Sequence, residues 1–507
     1  MPEGNGSAVF DPRAAQRALQ GARGKQKLDL ILSAPDPQQL VESLPAEELY
    51  FAILDVGPDD AAELVAMAAP EQFRHLVDMA AWRGADEGPR TGEVLRWLRL
   101  AREGGADLAK FRGQLWALDI ELLALALRRE LRVHDLTEGE EPAPRNPGMA
   151  FYTPDRRFLL EFTGSAEYAS VRQLIEDLYA QDPFGAGRLI ESIRWEVPTE
   201  LEETARRWRD GRLRDAGIPA FEEAVSFYAR PAQAEARAVP ASQAQALAVP
   251  ARPLLDAALE RLSGAELERA EESAVYAANA ALVANKVPLD DADEVRDALR
   301  DARATLSLGL ELISGGDAER AAGALAGRPV RAIFQAAMGE AYRLQSRARK
   351  LAAQARLPQA QSATVLDEPL ESTVQALLKQ RPSFHEPGQR RPRAFASRAD
   401  LARAEGLLEE AEATVALLAA LGIPPLELGR KAEEAGLGPA VVKASVAVRA
   451  LAESALRGEP FSLGGAAEER EEPAGFAAKV EELLRGAARG EAGERAAGRI
   501  WEALKRG

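Results

Sequence analysis

LPAEELYFAILDVGPDDAAELVAMAAPEQFRHLVD, residues 44–78, contains three successive helix starts. Each start is a proline followed by acidic or amide residues: Pro45 before Ala-Glu-Glu, Pro58 before Asp-Asp and Pro70 before Glu-Gln. Proline is tolerated at the first helical position because the N–H that it lacks has no helical partner there. Acidic side chains just after it stabilise the positive end of the helix dipole. The stretch therefore predicts a series of short helices.

Helices of this length are marginal on their own, so they need neighbours. Each has a small apolar face, and the faces consist of Leu49, Ile53 and Val56, then Ala61, Leu64 and Val65, then Phe73, Leu76 and Val77. Short helices become stable when they stack and bury these faces in one continuous core. We therefore predict a helical solenoid over residues 28–135. Asp36-Pro37 supplies an earlier start, and longer helices follow near residues 91–102 and 107–132.

The composition favours helices and limits the function. A chain of 507 residues is too long for a single core, and an aromatic content of 6% favours helices over sheets. The formal net charge of −16 works against binding of nucleic acid or anionic membranes, because the field of the protein repels phosphate. The absence of cysteine excludes disulfides, thiolate catalysis and cysteine-ligated zinc.

The apolar runs indicate a cytosolic protein. The first residues, MPEGNGSAVFDPRAAQ, contain no apolar segment of a secretory signal. The most apolar run, LWALDIELLALAL at residues 115–127, is shorter than the roughly 20 residues that span a bilayer. It also contains Asp119 and Glu121. We predict a buried helix there and no transmembrane segment.

The rest of the chain predicts one β-hairpin among helices. AFYTPDRRFLLEF, residues 150–162, predicts two short strands about a turn at Pro154. The hairpin falls in a predicted small α+β domain at residues 149–230. Residues 254–457 predict a helical bundle, with long helices near 290–314, 329–356 and 398–421. The predicted fold class is mainly α, with an N-terminal short-helix solenoid, a small α+β segment with one β-hairpin and a C-terminal helical bundle.

Four further segments complete the predicted domain organisation. Residues 1–27 are polar and contain glycine, which predicts a flexible tail. Residues 231–253 are rich in alanine and proline, and residues 458–475 are rich in glycine and glutamate, so we predict two linkers. Residues 476–507 predict a C-terminal helix.

GPDDAAELVAMAAPEQ, within residues 36–80, resembles the N-terminal cytosolic domain of MgtE-type magnesium channels. That domain repeats short helices that open with Asp-Pro-Asp-Asp-Ala-Ala and Leu-Pro-x-Glu. The resemblance implies a helical superhelix and makes Asp59, Asp60 and Glu63 candidate oxygen ligands for a divalent cation. The alternative is that these acids only stabilise a helix dipole. The chain departs from the channels because it has no transmembrane segment and no recognisable nucleotide-binding pair domain.

A second resemblance covers nearly the whole chain. The block YASVRQLIEDLYAQDPFGAGRLIESIRW from residue 168, together with LSLGLELISGGD and RPSFHEPGQRRPRAFAS, resembles a bacterial family of unknown function, family 6178 of the domains of unknown function. The resemblance supports the predicted architecture and implies no activity.

Familiar catalytic and binding motifs are absent from the sequence. His75, His134 and His385 are the only histidines, and none has a partner at metal-ligand spacing. There is no GxSxG elbow and no phosphate-binding GxxxxGK[ST] loop. DDADEVRDALRD, residues 290–301, does not fit a calcium-binding loop because Val295 occupies the position that needs glycine. We therefore expect no cofactor and no enzymatic activity.

RWEVPTELEETARRWRDGR, residues 194–212, suits a binding surface. Trp195, Arg207 and Trp208 are of the residue types enriched at interface hot spots. The alternative, which we favour from the pattern, is that both tryptophans pack in the core of the small domain. The arginines would then pair with glutamates of the same segment.

RPSFHEPGQRRPRAFASR, residues 381–398, is a basic, proline-rich loop in an acidic chain. Its exposed charges would come from Arg390, Arg391 and Arg393. One interpretation is that the loop docks an acidic partner or RNA, and another is that it is an internal clamp between acidic helices. The scarcity of aromatic residues in the loop makes nucleic acid the weaker choice.

These observations favour a non-enzymatic cytosolic scaffold or regulatory adaptor that binds protein partners through a helical-repeat surface. The alternative is a sensor that binds a divalent cation or small ligand at residues 36–80 and acts on a membrane or motility partner. A third hypothesis, an enzyme of unfamiliar type, requires a concave pocket with convergent polar groups.

Overall fold

The computed structural model describes residues 24–82, 87–105, 107–138, 144–164, 167–230, 253–358, 360–464 and 473–506. The chain forms two compact units. The first unit comprises Met1–Ala224 with Leu282–Ala298, and the second comprises Val225–Ala281 with Leu299–Gly507. The tail predicted at residues 1–27 and the linker predicted at 231–253 lie mostly outside the described residues, and so does the middle of the linker predicted at 458–475, residues 465–472.

In its described residues, the first unit begins with eight short helices. They are α1 (Lys25–Leu32), α2 (Pro37–Ser43), α3 (Ala46–Val56), α4 (Ala62–Met67), α5 (Pro70–Ala80), α6 (Thr91–Glu103), α7 (Leu108–Ala117) and α8 (Ile120–Arg128). Pro37 and Pro70 occupy the first helical position, as predicted, and Asp36 caps α2 by accepting a hydrogen bond from the N–H of Gln39 at 2.9 Å. The helix start predicted at Pro58 is wrong, because residues 58–61 form a turn and α4 begins after it.

The eight helices pack in an alternating order. Each helix from α1 to α6 packs on the helix two positions later in the chain, so α1 contacts α3 and α6 contacts α8. The predicted apolar faces of α3, α4 and α5 lie in one core, with the exception of Val56, which is half-buried. Burial of these faces stabilises helices that are too short to be stable alone.

Two buried glutamines tie the stack together. Gln72 of α5 donates its side-chain amide to the carbonyl oxygens of Val41 and Leu44, at 2.9 and 2.7 Å. Gln114 of α7 repeats the arrangement on the end of α4. Its amide donates to the carbonyl oxygens of Val65, Ala66 and Ala68, at 3.1, 3.3 and 2.7 Å. Each glutamine thereby satisfies carbonyl groups that a helix end leaves without a helical partner.

A small antiparallel sheet follows, in the order β1–β3–β2. Its strands are β1 (Leu131–Asp135), β2 (Ala150–Tyr152) and β3 (Phe158–Phe162). The predicted hairpin corresponds to β2 and β3, whereas β1 was missed and ends the helix predicted at 107–132. That helix is also broken at Leu118-Asp119, directly before the start of α8. The first unit continues with α9 (Tyr168–Gln181), α10 (Pro183–Trp195), α11 (Pro198–Asp215) and the start of α12 (Phe221–Ser226).

In the described residues, the regular secondary structure of the second unit consists of helices, apart from an isolated β-bridge between Phe384 and Arg393. Its helices are α13 (Leu254–Leu259), α14 (Gly264–Ala284), α15 (Ala292–Ser314), α16 (Ala318–Gly327), α17 (Val330–Ala355), α18 (Leu370–Leu378), α19 (Arg398–Ala420), α20 (Pro425–Glu434), α21 (Ala444–Arg457), α22 (Phe476–Ala487) and α23 (Gly490–Arg506). The end of α14 and the start of α15 belong to the first unit.

The long helices predicted in the bundle are confirmed as α15, α17 and α19. The single C-terminal helix predicted at 476–507 is instead two helices, α22 and α23. Capping also explains the acidic start of α15, since the carboxylate of Asp291 accepts hydrogen bonds from the N–H groups of Asp293 and Glu294. The fold is mainly α with a small α+β segment, as predicted.

Within the described ranges, no single helix has the length and hydrophobicity needed to cross a membrane. The pair α19 and α20 meets those criteria only when taken together, and it is bent by 65°.

Candidate functional site

The candidate cation ligands lie at and just after the turn that precedes α4. The carboxylate of Asp59 accepts a hydrogen bond from Arg96 at 2.7 Å, and Glu63 lies in the first turn of α4. In the ranges that the structure describes, no group of three or more His, Cys, Asp or Glu side chains could hold a metal ion. The metal role of Asp59, Asp60 and Glu63 stays a prediction.

Two of the three histidines contact a carboxylate on a neighbouring element. His75 Nε2 of α5 lies 3.1 Å from Glu47 Oε1 of α3, and His134 Nε2 of β1 lies 3.1 Å from Glu161 Oε2 of β3. The hydrogen bond from His75 lowers the pKa of Glu47. Both pairs join elements of the first unit, and we assign them a role in the fold.

Glu161 is the most tightly held of these carboxylates. It is buried in the central strand, and its Oε1 accepts hydrogen bonds from the backbone N–H groups of Arg145 and Asn146 at 2.6 and 3.2 Å. Burial alone would raise the pKa of Glu161, but the hydrogen bonds from His134 and the two N–H groups lower it. This buried carboxylate is therefore stabilised in its charged form.

Three residues that sequence reasoning missed fix α11 in the first unit. Arg212 of α11 donates to Asp78 of α5 at 2.7 and 2.9 Å, and to Asp119 at the start of α8 at 3.0 and 2.6 Å. Asp78 is only 1% exposed, and burial raises its pKa although Arg212 opposes the shift. Their spacing of 41 residues (78 to 119) and 93 residues (119 to 212) gave no local signal in the sequence.

The two tryptophans at the junction of α10 and α11 are exposed. Trp195 is 60% exposed and Trp208 is 54% exposed, so the prediction that both pack in the core is wrong. Trp195 is the last residue of α10. The buried residues of α11 are Leu201, Ala205 and Leu213, which leaves Trp208 at the edge of the buried face.

An arginine accompanies each exposed indole ring. The guanidinium carbon of Arg194 lies 4.5 Å from the ring centroid of Trp195, and that of Arg207 lies 6.0 Å from the ring centroid of Trp208. The predicted pairing of arginines with glutamates of the same segment is seen for Arg206, which donates to Glu202 at 2.7 Å. Cation–π contacts of this kind hold a ring and a charge together at the surface.

The basic loop of the second unit is largely engaged within that unit. Arg393 donates to Asp400 at 2.7 and 3.0 Å. The backbone N–H of Ala394 donates to Asp301 at 3.0 Å, and that of Arg398 donates to Glu311 at 2.9 Å. These contacts match the internal-clamp interpretation.

The other two candidate arginines of the loop differ from Arg393. Arg390 and Arg391 are exposed. Within the described residues, neither forms an ion pair with a carboxylate. The docking interpretation of the loop therefore depends on the positive charges of these two arginines.

The family comparison matches most of the chain. The family described as "Family of unknown function (DUF6178)" matches residues 7–473. The chain belongs to this family. No curated protein and no solved structure matches it, so membership of DUF6178 brings no reaction or ligand with it. The resemblance of residues 36–80 to the magnesium-channel domain is not supported by these comparisons and stays a prediction.

In this DUF6178 chain the predicted site residues fall into three groups. Trp195, Arg207 and Trp208 lie on consecutive helices of the first unit, and their prediction as partner contacts is compatible with their exposure. Arg390 and Arg391 lie in the second unit. Asp59, Asp60 and Glu63 belong to the first unit, and Asp59 already pairs with Arg96.

Proposed function

We propose that this DUF6178 protein is a non-enzymatic cytosolic adaptor that binds a protein partner through α10 and α11. The observation that carries the proposal is the exposure of Trp195 and Trp208, each beside a guanidinium group. Tryptophan and arginine dominate the energetics of protein interfaces, because they combine a large apolar area with directional polar contacts.

Two further large apolar side chains are exposed on or between the same two helices. Phe184, near the start of α10, is 76% exposed. Val197, between α10 and α11, is 50% exposed. Single exposed apolar residues are common on proteins, but several large ones on two consecutive helices indicate an interaction site.

The contacts beneath the surface favour binding without rearrangement. Arg212 fixes α11 to α5 and α8 through buried charge-assisted hydrogen bonds. A surface on a rigidly held helix loses little conformational entropy when it binds. The alternating contacts from α1 to α8 support the further proposal that these helices form a repeat-like stack, an architecture that often presents binding surfaces.

The charge beside the indole rings defines the chemistry of the partner. Arg207 is exposed next to Trp208. A partner segment with apolar side chains flanked by a carboxylate would bury the two rings and pair with Arg207. We therefore propose an acidic, amphipathic protein segment as the occupant.

Site-specific photo-crosslinking tests the proposal. The photoreactive amino acid p-benzoylphenylalanine replaces Trp208 in the full-length protein, which is irradiated in cells of its native host. The control places the same group at Leu426, which is 77% exposed in the second unit. We expect a discrete protein cross-linked at position 208 and not at position 426. Identical products at both positions, or none at 208, would contradict the proposal.

A further inference from the structure

The helix α17 of the second unit has two charged sides. On the side that borders α19, Arg343 pairs with Glu405 at 3.0 Å and Arg347 pairs with Glu412 at 2.9 Å. Both glutamates belong to α19, so these pairs join the two helices. The arginines of this side are therefore used within the fold.

Four exposed cations lie on the side of α17 that borders α18. They are Arg349 and Lys350 near the end of α17, Arg356 directly after it, and Lys379 directly after α18. We call these four residues the basic stripe. In the described part of the chain, none of the four forms an ion pair or donates a side-chain hydrogen bond. Their charges are therefore available to a ligand.

A hydrogen bond places the two helix ends side by side. The side-chain amide of Gln345 donates to the backbone carbonyl of Lys379 at 2.6 Å. Gln345 lies one turn before Arg349, so Lys379 is next to the same side of α17. Arg349 and Arg356 are separated by about two helical turns and share that side. The basic stripe consequently extends over about 10 Å along the helix axis.

The sequence around the basic stripe contains no acidic residue. Residues 341–366 contain five arginines or lysines and neither aspartate nor glutamate. Residues 372–385 contain two and likewise no acid. The whole chain, by contrast, has 80 acidic residues among 507 and a formal net charge of −16. The two segments therefore produce a local positive field, which attracts an anionic partner to this surface.

Two tyrosines beside the basic stripe argue against a nucleic acid as that partner. The guanidinium carbon of Arg230 lies 5.9 Å from the ring centroid of Tyr342, and that of Arg381 lies 3.7 Å from the ring centroid of Tyr228. The hydroxyl of Tyr342 donates to the carbonyl of Tyr228 at 2.9 Å. Both rings are half-buried and already have a guanidinium over them, which disfavours the stacking of nucleotide bases.

The size and polarity of the surface favour a short acidic segment of polypeptide. A nucleic-acid strand or a membrane would extend beyond about 10 Å and meet the negative field of the rest of the chain. Among the described residues 341–358 and 370–381, no large apolar side chain is exposed, so a membrane would find no apolar anchor. A few consecutive carboxylates can be confined to the basic stripe.

We propose that the basic stripe binds an acidic segment of a protein partner. The carboxylates of that segment pair with Arg349, Arg356 and Lys379. The guanidinium groups accept a carboxylate through two parallel hydrogen bonds, and the ammonium group acts as a point charge. The site lies in the second unit and does not depend on the adaptor surface proposed for α10 and α11.

Fluorescence anisotropy with the full-length protein tests the proposal. The probe is a fluorescein-labelled peptide of repeated Glu-Glu-Gly, and the matched comparator has glutamine in place of every glutamate. Labelled single-stranded RNA and labelled duplex DNA are titrated in the same way. We expect saturable binding of the glutamate peptide that weakens as salt is added. The other probes should bind at least about tenfold more weakly. No binding of the glutamate peptide, equal binding of the glutamine peptide, or tighter binding of either nucleic acid would overturn the proposal.

Two triple variants separate the basic stripe from the overall charge. The combination of Arg349→Gln, Arg356→Gln and Lys379→Gln should weaken binding of the glutamate peptide by about tenfold, since several exposed ion pairs are lost together. The control removes three other exposed cations of the second unit, none of which forms an ion pair in the described residues: Arg269→Gln, Arg328→Gln and Arg506→Gln. The control should bind normally. Undiminished binding by the first variant, or an equal loss in both, would refute the assignment.

A conservative variant separates binding from folding. Arg349→Lys combined with Arg356→Lys keeps both charges, so it should bind the glutamate peptide within about threefold of the wild type. Circular dichroism establishes that every variant is folded. A loss as large as that of the glutamine variant would show that the charges of the basic stripe do not determine binding.

Discussion

The guanidinium of Arg212 donates two hydrogen bonds to the carboxylate of Asp78, from Nε at 2.7 Å and from Nη2 at 2.9 Å. The two residues lie on α11 and α5, far apart in the sequence. This contact, extended by Asp119, holds the helix that presents Trp208. It links the fold of the first unit to the proposed binding surface.

Arg212→Met should therefore destabilise the first unit strongly. Removal of the guanidinium leaves Asp78 buried without its charge partner, which typically costs about 3–5 kcal/mol. The free energy of unfolding is measured by urea titration. Arg214→Met removes an exposed arginine from the same helix and should change the free energy of unfolding by less than about 0.5 kcal/mol. Equal effects of the two substitutions would show that the buried contact contributes little.

Glu161 predicts a specific pH dependence. Its pKa is lowered from the ordinary value of 4.5, so its charged form stabilises the folded state above pH 4.5. That contribution is lost as the pH falls below 4.5 and the carboxylate is protonated. Wild-type stability should consequently decline more steeply between pH 5 and about 3 than that of Glu161→Gln. Glu200→Gln, an exposed control, should follow the wild-type profile, and parallel profiles for wild type and Glu161→Gln would refute this account.

The hydrogen bonds of the buried glutamines predict that removal of a side-chain amide lowers the free energy of unfolding. Gln114→Met keeps the length of the side chain but leaves the carbonyl groups of Val65 and Ala68 without their donor. Buried unsatisfied groups cost about 1–3 kcal/mol. Gln375→Met, on an exposed face of α18, should be nearly neutral. Chemical denaturation measures the free energy of unfolding of both variants. Equal values for Gln114→Met and Gln375→Met would show that the buried amide does not stabilise the fold.

Two helical glycines of the second unit should respond in opposite ways to substitution by alanine, because only one of them lies at a close helix contact. A Cβ added at Gly309 of α15 would lie 2.1 Å from the carbonyl oxygen of Ile333, whereas one at Gly323 of α16 would meet no atom within 4 Å. Gly309→Ala should cost about 1–3 kcal/mol because the backbones must separate. Gly323→Ala should stabilise its helix by about 0.5–1 kcal/mol. Thermal midpoints that move in the same direction would contradict this assignment.

The exposed tryptophans should contribute little to folding. Trp97 is 1% exposed and stacks on Tyr50, so Trp97→Ala should cost about 3–5 kcal/mol. Trp208→Ala and Trp195→Ala should each cost less than about 1 kcal/mol, since more than half of each side chain is already in water. Urea titrations provide the comparison. A large loss for Trp208→Ala would assign that residue to the core and remove the basis of the proposed surface.

Local chemistry allowed much of the fold to be predicted. Asp36-Pro37 and Pro70 start helices as proline and capping rules predict, and the turn at Pro154 between two short runs led to the predicted hairpin. Pro58 failed as a helix start because the preceding Gly57, with a φ of +105°, leads the chain into a turn. That φ value is set by the fold and cannot be read from the sequence.

The candidate sites were less predictable because they depend on contacts between distant residues. Asp119 lies within the run that was predicted as one buried helix, but it immediately precedes α8 and accepts hydrogen bonds from Arg212. Tryptophan is a residue type that often packs in a core, but Trp195 and Trp208 lie at the surface. Their exposure depends on where the helices end and how they pack, which the sequence pattern does not show.

The most direct test compares the proteins that co-purify with tagged full-length protein from its native lysate. Three forms are quantified by mass spectrometry: wild type, Trp195→Ser with Trp208→Ser, and a control with Val275→Ser and Leu426→Ser at exposed positions of the second unit. Circular dichroism establishes that all three are folded. We predict a stoichiometric partner that is retained by the control and lost from the tryptophan variant. Retention of that partner by the tryptophan variant, or recovery of the wild type alone, would contradict the account.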